Sequence, residues 1–234
     1  MKYRNIMAIL LAGCLMAALT ACGGNETTST ESISHQPTVQ ETSTETEPPE
    51  TMPKELEFEP EVSGIYIMRD GTIKTAEIES FDNKDYTETR YDESVLREYV
   101  TGWIKDYNEA KGRNEVALEK LEVKDKKATL VIRYDSYHAF LEFQGADFGF
   151  TDVETGNAEY AAWNYQLTNL MDAQGKNVTP AEALADETLT VVKISGTGLV
   201  YLSGEVKFLS SSQTLVAPNC VRLQDKGVSF IFFK

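Results

Sequence analysis

The chain has 234 residues, of which 37 are acidic and 22 basic, so its formal net charge at neutral pH is −15. This balance excludes nucleic-acid binding through a basic face, because such a face must neutralise phosphates. The largest basic cluster is Lys124 with Lys126 and Lys127. Peripheral contact with anionic lipid is disfavoured for the same reason.

The amino terminus has the pattern of a secretory signal. Lys2 and Arg4 precede an uncharged apolar stretch from Ile6 to Leu19. That stretch has 14 residues, whereas a helix that spans a membrane needs roughly 20. We therefore expect residues 1–21 to be a cleaved signal peptide.

The signal ends in Leu19-Thr20-Ala21-Cys22, followed by Gly23 and Gly24. This run resembles the lipobox of bacterial lipoproteins, and the resemblance implies cleavage before Cys22 with a diacylglyceryl thioether on its sulfur. Two acyl chains anchor a protein stably, whereas one myristoyl chain binds only marginally, with K of about 10⁴ M⁻¹. The alternative is an ordinary signal peptide cut elsewhere, with Cys22 incidental.

The segment after Cys22 differs sharply in composition. Glu, Thr, Ser and Pro dominate residues 23–61, which contain ten Glu and Lys54 as the single positive charge. Such a stretch buries too little apolar surface to offset its conformational entropy. We expect residues 22–61 to form the lipidated cysteine and a disordered acidic tether. Subtracting −9 for the tether and +2 for the signal from −15 leaves −8 for residues 62–234.

Residues 62–234 are predicted to form a single α+β globular domain. Asp70-Gly71 between two β-prone runs predicts a hairpin with a two-residue type I′ turn. A long amphipathic helix should begin at the cap Asp92 and end at Gly112, with Gly102 approaching the sheet closely. Two strands joined at residues 124–127 make a second hairpin, and a short helix over residues 136–144 should be capped by Asp135.

The carboxy-terminal part is predicted to be mostly β. A helix is expected around residues 157–163, a strand around residues 165–171, and a short helix to Ala185 capped by Thr179. Strands follow over residues 189–194, 199–202, 206–209, 221–223 and 228–233, with residues 195–198 as a glycine-rich turn. The resulting fold class is α+β: an antiparallel sheet built from hairpins, with one long amphipathic helix on a face. In an alternative arrangement, the carboxy-terminal strands form a semi-separate lobe.

The sequence predicts no catalytic site, no cofactor-binding site and no metal site. Cys220 is the one cysteine of the body and is expected to be a small buried residue. His138 has no second histidine or cysteine beside it to complete a zinc site. Four acidic residues are the candidates for a hydrolase that uses paired carboxylates: Glu142, Asp147, Asp152 and Glu154.

Several features of the body resemble a group of surface lipoproteins of clostridial Firmicutes. They are the Asp-Gly hairpin after Gly64, the Phe81-Asp82 and Tyr91-Asp92-Glu93 region, the helix end at Asp106-Tyr107-Asn108 and the hairpin to Tyr134. The resemblance covers the first half to two-thirds of the body. It implies a cell with one membrane and an anchored protein that faces outward, and it supplies no active-site residues.

Three functional classes follow from these observations. The preferred one is a membrane-anchored extracytoplasmic lipoprotein that is not an enzyme and binds a cell-envelope protein or glycan. The second is a substrate-binding lipoprotein of a transporter, which would need two βαβ lobes around a cleft. The third is a carboxylate-dependent hydrolase acting on wall or glycan material, which would need two carboxylates in a cleft, one of them desolvated.

Overall fold

The computed structural model describes residues 58–80, 92–145, 147–224 and 226–234. The signal segment, Cys22 and nearly all of the tether lie outside these residues, as does the Phe81-Asp82 region. Within the described ranges, none of the helices combines the length and the apolar character that crossing a bilayer requires.

Two sheets form the framework of the fold. The first, which we call sheet A, has seven strands in the described residues. In spatial order they are β11 (Thr214–Ala217), β12 (Cys220–Leu223), β9 (Gly198–Leu202), β1 (Gly64–Ile67), β2 (Ile73–Ser80), β4 (Lys127–Tyr134) and β3 (Val116–Lys124). Strands β1 and β9 run parallel, and the other neighbouring pairs of this sheet are antiparallel. Early and late segments of the chain therefore share one sheet.

The second sheet, sheet B, is antiparallel and has six strands in the part of the chain that the structure describes. In order they are β5 (Phe150–Asn157), β8 (Thr190–Gly196), β13 (Val228–Phe233), β10 (Val206–Ser210), β6 (Leu170–Asp172) and β7 (Asn177–Val178). The predicted α+β class, with antiparallel hairpins and a mostly β carboxy-terminal part, is confirmed.

The long amphipathic helix is α1 (Glu93–Lys111), and both predicted ends are confirmed. The Asp92 carboxylate accepts from the backbone N–H groups of the first turn, and Gly112 ends the helix in the left-handed region with φ of 69°. Leu96, Val100 and Ile104 are buried, which follows from their spacing of four residues. The close approach expected at Gly102 is wrong, because a Cβ atom added there would meet nothing within 4 Å.

The two hairpins of the first half differ from the prediction in the place of the type I′ turn. Between β1 and β2 lies a five-residue loop, residues 68–72, in which the Met68 N–H donates to the Thr72 carbonyl. The predicted two-residue turn at Asp70-Gly71 is therefore wrong. The type I′ geometry occurs instead between β3 and β4, where Asp125 and Lys126 both have positive φ, 51° and 61°.

The short helix after β4 differs from the prediction in its cap and in its geometry. It is α2 (Tyr137–Phe140), and Ser136, not Asp135, accepts from the Ala139 N–H. Residues Leu141–Gly145 continue it as a π-helical turn. A π-helical turn is rare and is frequently found at functional sites.

The carboxy-terminal half adds two short helices on the other face of sheet B. They are α3 (Ala158–Asn164), capped by Asn157, and α4 (Pro180–Ala183), where Thr179 and Glu182 form the predicted capping box. The strand expected over residues 165–171 is confined to β6, because Tyr165 to Asn169 lie outside regular structure. The sequence does not predict strands β5, β7 and β11.

Two hydrophobic clusters form the core. The larger one joins the inner faces of both sheets with α1, α2 and the π-helical turn. The smaller one lies between sheet B and the helices α3 and α4. Strand β13 contributes to both, with Ile231 and Phe233 in the first and Phe230 and Phe232 in the second. Burial on two faces explains why its sequence is apolar without alternation.

Candidate functional site

A small pocket lies on the outer face of sheet A. We call it the aromatic pocket; its volume is about 240 Å³, and it is lined by Phe58, Glu59, Tyr66, Tyr201 and Asn219. Tyr66 on β1 and Tyr201 on β9 are direct partners in the parallel ladder. Because side chains alternate along a strand, and Ile65 and Ile67 are part of the core, both tyrosines lie on the opposite, outer face.

Aromatic contacts shape this pocket. The Phe58 ring stacks on the Tyr66 ring with centroids 4.9 Å apart, and it is tilted by 60° against Tyr201 at 5.6 Å. Tyr66 is buried, with 3 % of its surface exposed, so it forms the floor. Tyr201 is half-buried and supplies a wall.

Polar groups stand at the rim of the aromatic pocket. Asn219 lies in the turn between β11 and β12, and its side-chain amide donates to the Leu202 carbonyl at 3.3 Å. That bond uses one amide hydrogen, so the amide retains a second donor and its carbonyl acceptor. Glu59 is exposed and adds a carboxylate. The site thus combines apolar ring faces with a few hydrogen-bonding groups, which is the usual composition of a ligand pocket.

Cys220 lies on the same outer face of sheet A as Tyr201, and its role is packing. It is buried and pairs directly with Tyr201 across the β12/β9 ladder. Burial raises the pKa of its thiol, although the nearby Arg222 charge and the Tyr201 hydroxyl act in the opposite direction. A buried thiol with a raised pKa is not an activated nucleophile, so the prediction of a small buried residue is confirmed.

The four acidic candidates do not meet in one site. Glu142 is exposed on the π-helical turn, where it accepts from the Tyr107 hydroxyl at 3.1 Å and pairs with the Lys111 ammonium at 2.6 Å. Those bonds, the one to Lys111 first, lower the pKa of Glu142. Asp147 is exposed just after the turn.

Only Asp152 and Glu154 are brought together. They are two residues apart on β5, and the Lys193 ammonium binds both carboxylates, at 2.9 and 3.5 Å. The Tyr160 hydroxyl donates to the second oxygen of Glu154 at 2.6 Å. Since a lysine occupies the space between the two carboxylates, they form an ion-pair cluster and not a pair facing each other across an open cleft.

His138 lies on α2 and is exposed, with its ring centroid 4.1 Å from the ring of Tyr137. Among residues 58–80, 92–145, 147–224 and 226–234, no group of three or more histidine, cysteine or acidic side chains has the geometry to hold a metal ion. The histidine therefore lies at the surface without a ligand set in the described part of the chain.

Sequence reasoning missed the most unusual acidic residue, Glu77 on β2. It is 2 % exposed. The Gln144 amide donates to its Oε1, whereas its Oε2 has no hydrogen-bond partner among the described residues. Burial raises the pKa of Glu77 to about 7, the bond from Gln144 acts to lower it, and the negative charges of Asp147 and Glu79 raise it further.

Two more buried side chains extend this arrangement. The Tyr134 hydroxyl donates to the Gln144 carbonyl oxygen at 2.5 Å, and Thr75 Oγ1 lies 3.4 Å from the same hydroxyl. Burial raises the pKa of Tyr134 well above its ordinary value, so its proton remains available to Gln144. Gln144 thus bridges a phenol and a carboxyl group. The period-two spacing of Ile73, Thr75 and Glu77 is the only sequence signal that places Glu77 on the core face.

Compared with models of known protein families, with curated proteins and with solved structures, the chain matches none of them.

Proposed function

We propose that the protein is a lipid-anchored extracytoplasmic lipoprotein that binds a component of the cell envelope and does no chemistry on it. The aromatic pocket is the observation that carries this proposal. The amino-terminal signal and Cys22 supply the membrane anchor, and the acidic tether gives the body reach away from the membrane. Envelope material that extends from the membrane is within that reach.

The chemistry of the aromatic pocket favours a neutral saccharide unit. The C–H face of a sugar ring packs against the Tyr201 ring, and its hydroxyl groups bond to the second amide hydrogen of Asn219 and to the Glu59 carboxylate. A volume of about 240 Å³ accommodates one such ring. The net charge of −8 on residues 62–234 acts against polyanionic ligands.

The described residues support the two other classes less well. A transporter-type binding protein would have two βαβ lobes, whereas β1 and β9 are the one parallel pair in the sheets as described. A hydrolase needs a desolvated carboxyl group that substrate can reach. Glu77 is desolvated but has no access to solvent, and Asp152 and Glu154 are occupied by Lys193.

Co-sedimentation with purified cell-wall sacculi tests the proposal. The full chain, in detergent, should sediment with the sacculi, and Tyr201→Ala should reduce the bound fraction by about tenfold, since an aromatic anchor at a site centre is worth 1–2 kcal/mol or more. Tyr201→Phe keeps the ring and should retain binding. Trp163, which is 84 % exposed on α3 and remote in sequence from the pocket, provides the control Trp163→Ala.

The melting temperature of each variant is measured as well, so that a loss of binding can be distinguished from a loss of the fold. Loss of binding in Tyr201→Ala alone supports the pocket. Equal binding by Tyr201→Ala and the parent chain, or an equal loss in Trp163→Ala, contradicts the assignment of the pocket. A measured turnover of wall glycan by the parent chain contradicts the non-enzymatic class.

A further inference from the structure

The π-helical turn Leu141–Gly145 is held between α1 and sheet A by two neighbouring side chains. On one side, the Phe143 ring stacks on Trp103 of α1, with centroids 3.8 Å apart. On the other side, Gln144 binds Glu77 of β2 and accepts from Tyr134 of β4. The polar contact of the turn with the sheet therefore includes a buried carboxyl group that can gain or lose a proton.

The surroundings of Glu77 favour its neutral form. The charged groups that act on it are Asp147, which follows the π-helical turn, and Glu79 on its own strand, and both are acidic. Tyr134 faces it from β4 and is neutral because burial raises its pKa. Protonated Glu77 needs little solvation, whereas the ionised carboxylate would have the single donor Gln144 and an Oε2 without a partner.

Ionisation of Glu77 would therefore require one of the structural elements around it to move. One amide donor does not replace the several bonds to water that a carboxylate loses on burial. Strand β2 is paired along its whole length with β4, its residues 73–76 pair with β1 as well, and the Ile78 N–H donates to the Ser63 hydroxyl. The π-helical turn is the smaller unit, and opening of a small unit costs less free energy than separating strands in the middle of a sheet.

We propose that Glu77 is a proton-controlled latch: with its proton bound it holds Gln144 and the π-helical turn against sheet A, and loss of the proton releases the turn locally. Release hydrates the carboxylate and uncovers the Trp103–Phe143 contact. The two forms are alternative conformations of one folded protein, and the proton acts as the ligand that selects between them. The latch does not depend on what the aromatic pocket binds.

The size of the change in the opening equilibrium follows from the linkage between proton binding to Glu77 and opening of the turn. The pKa of Glu77 rises from the ordinary 4.5 to about 7 in the closed form. If the carboxyl group regains its ordinary pKa when the turn opens, the opening equilibrium constant grows about tenfold per pH unit between those values. The total increase is about 300-fold, and it levels off above pH 7.

Hydrogen–deuterium exchange of the full chain between pH 5 and pH 8 measures this equilibrium. After correction for the intrinsic pH dependence of exchange, protection of the amides in residues 141–145 should fall by up to about 70-fold from pH 5 to pH 8, because about a fourfold part of the total increase already lies below pH 5. Amides in β8 and β13, at the centre of sheet B, should show no comparable change. Glu77→Gln keeps the acceptor for Gln144 without the titratable group, so protection of the turn should become independent of pH.

Glu79→Gln is the matched control, because it removes a carboxylate from the same strand. It should keep the transition, with a slightly lower midpoint because one neighbouring negative charge is gone. Fluorescence of Trp103 in a Trp163→Phe background should follow the same midpoint. Three results would overturn the latch: an unchanged turn in the parent chain, a transition that persists in Glu77→Gln, or a loss of protection that spreads equally to β8 and β13.

Discussion

The ring of Phe58 lies 9° from parallel to the ring of Tyr66, with the two centroids 4.9 Å apart. Phe58 precedes β1 and Tyr66 lies within it, so the chain that enters the fold turns back over the outer face of sheet A. Phe58 belongs to the acidic stretch that the sequence assigns to the tether. Its contact places the end of that stretch beside the aromatic pocket.

Phe58→Ala should lower the free energy of unfolding by about 1–2 kcal/mol. An aromatic pair contributes roughly 0.5–1.5 kcal/mol beyond the apolar area that it buries, and Phe58 is only half-buried. Urea denaturation of the variant and of the parent chain measures the difference. Val62→Ala is the control from the same segment, since Val62 is half-exposed and should change stability by less than about 0.5 kcal/mol. A Phe58→Ala variant as stable as Val62→Ala would show that the stacking contributes nothing.

Glu77→Gln should stabilise the protein at alkaline pH and leave it unchanged at acidic pH. The pKa of Glu77 is raised in the folded state from 4.5 to about 7, so the folded protein binds more protons than the unfolded chain between these values. Stability therefore falls as pH rises from 4.5 to 7. The shift corresponds to about 3 kcal/mol above pH 7, as an upper bound, because local opening of the turn would relieve part of it.

Denaturation of Glu77→Gln and of the parent chain at pH 5 and pH 8 checks the direction of this pH dependence. The difference in unfolding free energy between Glu77→Gln and the parent chain should be larger at pH 8 than at pH 5. An equal difference at both pH values would mean that removal of the Glu77 charge is not what changes stability.

The glycine within α1 and the glycine that ends it should respond in opposite directions to alanine. Gly102 lies in the helix interior with open space around it, so Gly102→Ala should raise stability by about 1 kcal/mol through helix propensity. Gly112 has φ of 69°, a left-handed conformation that costs a residue with a Cβ atom about 1–2 kcal/mol, so Gly112→Ala should lower stability. Thermal denaturation of both variants tests the pair, and a shift of the same sign in both would contradict this account.

Cys22→Ala should release the protein from the membrane fraction. The proposed anchor is a pair of acyl chains on this one sulfur, and no other membrane attachment is proposed for the chain. Metabolic labelling with a clickable fatty acid should mark the parent chain and leave Cys22→Ala unmarked. Cys14→Ala, within the apolar signal segment, is the control that should keep both the label and the location. An unlabelled parent chain would overturn the proposed anchor and the cellular address that depends on it.

Local signals predict the structure correctly where each depends on neighbours in the sequence. The Asp92 cap and Gly112 end of α1, and the capping box of Thr179 with Glu182, involve residues a few positions apart. The type I′ turn predicted at Asp70-Gly71 is wrong because a loop can contain Asp-Gly without placing both residues at the turn centre. At residues 68–72 the Asp70 carboxylate accepts from the Thr72 N–H, which organises a longer loop.

The sequence by itself determined the α+β class, the ends of the long helix and the strands β8, β9, β10, β12 and β13, since hydrophobic period and caps are local properties of the chain. Only the tertiary structure decided that β1 pairs with β9, more than 130 residues away, and it is this pairing that sets Tyr66 beside Tyr201. Likewise, Gln144 reaches Glu77 across 67 positions. Pairings over such separations depend on how whole faces bury one another, and a single sequence does not reveal them.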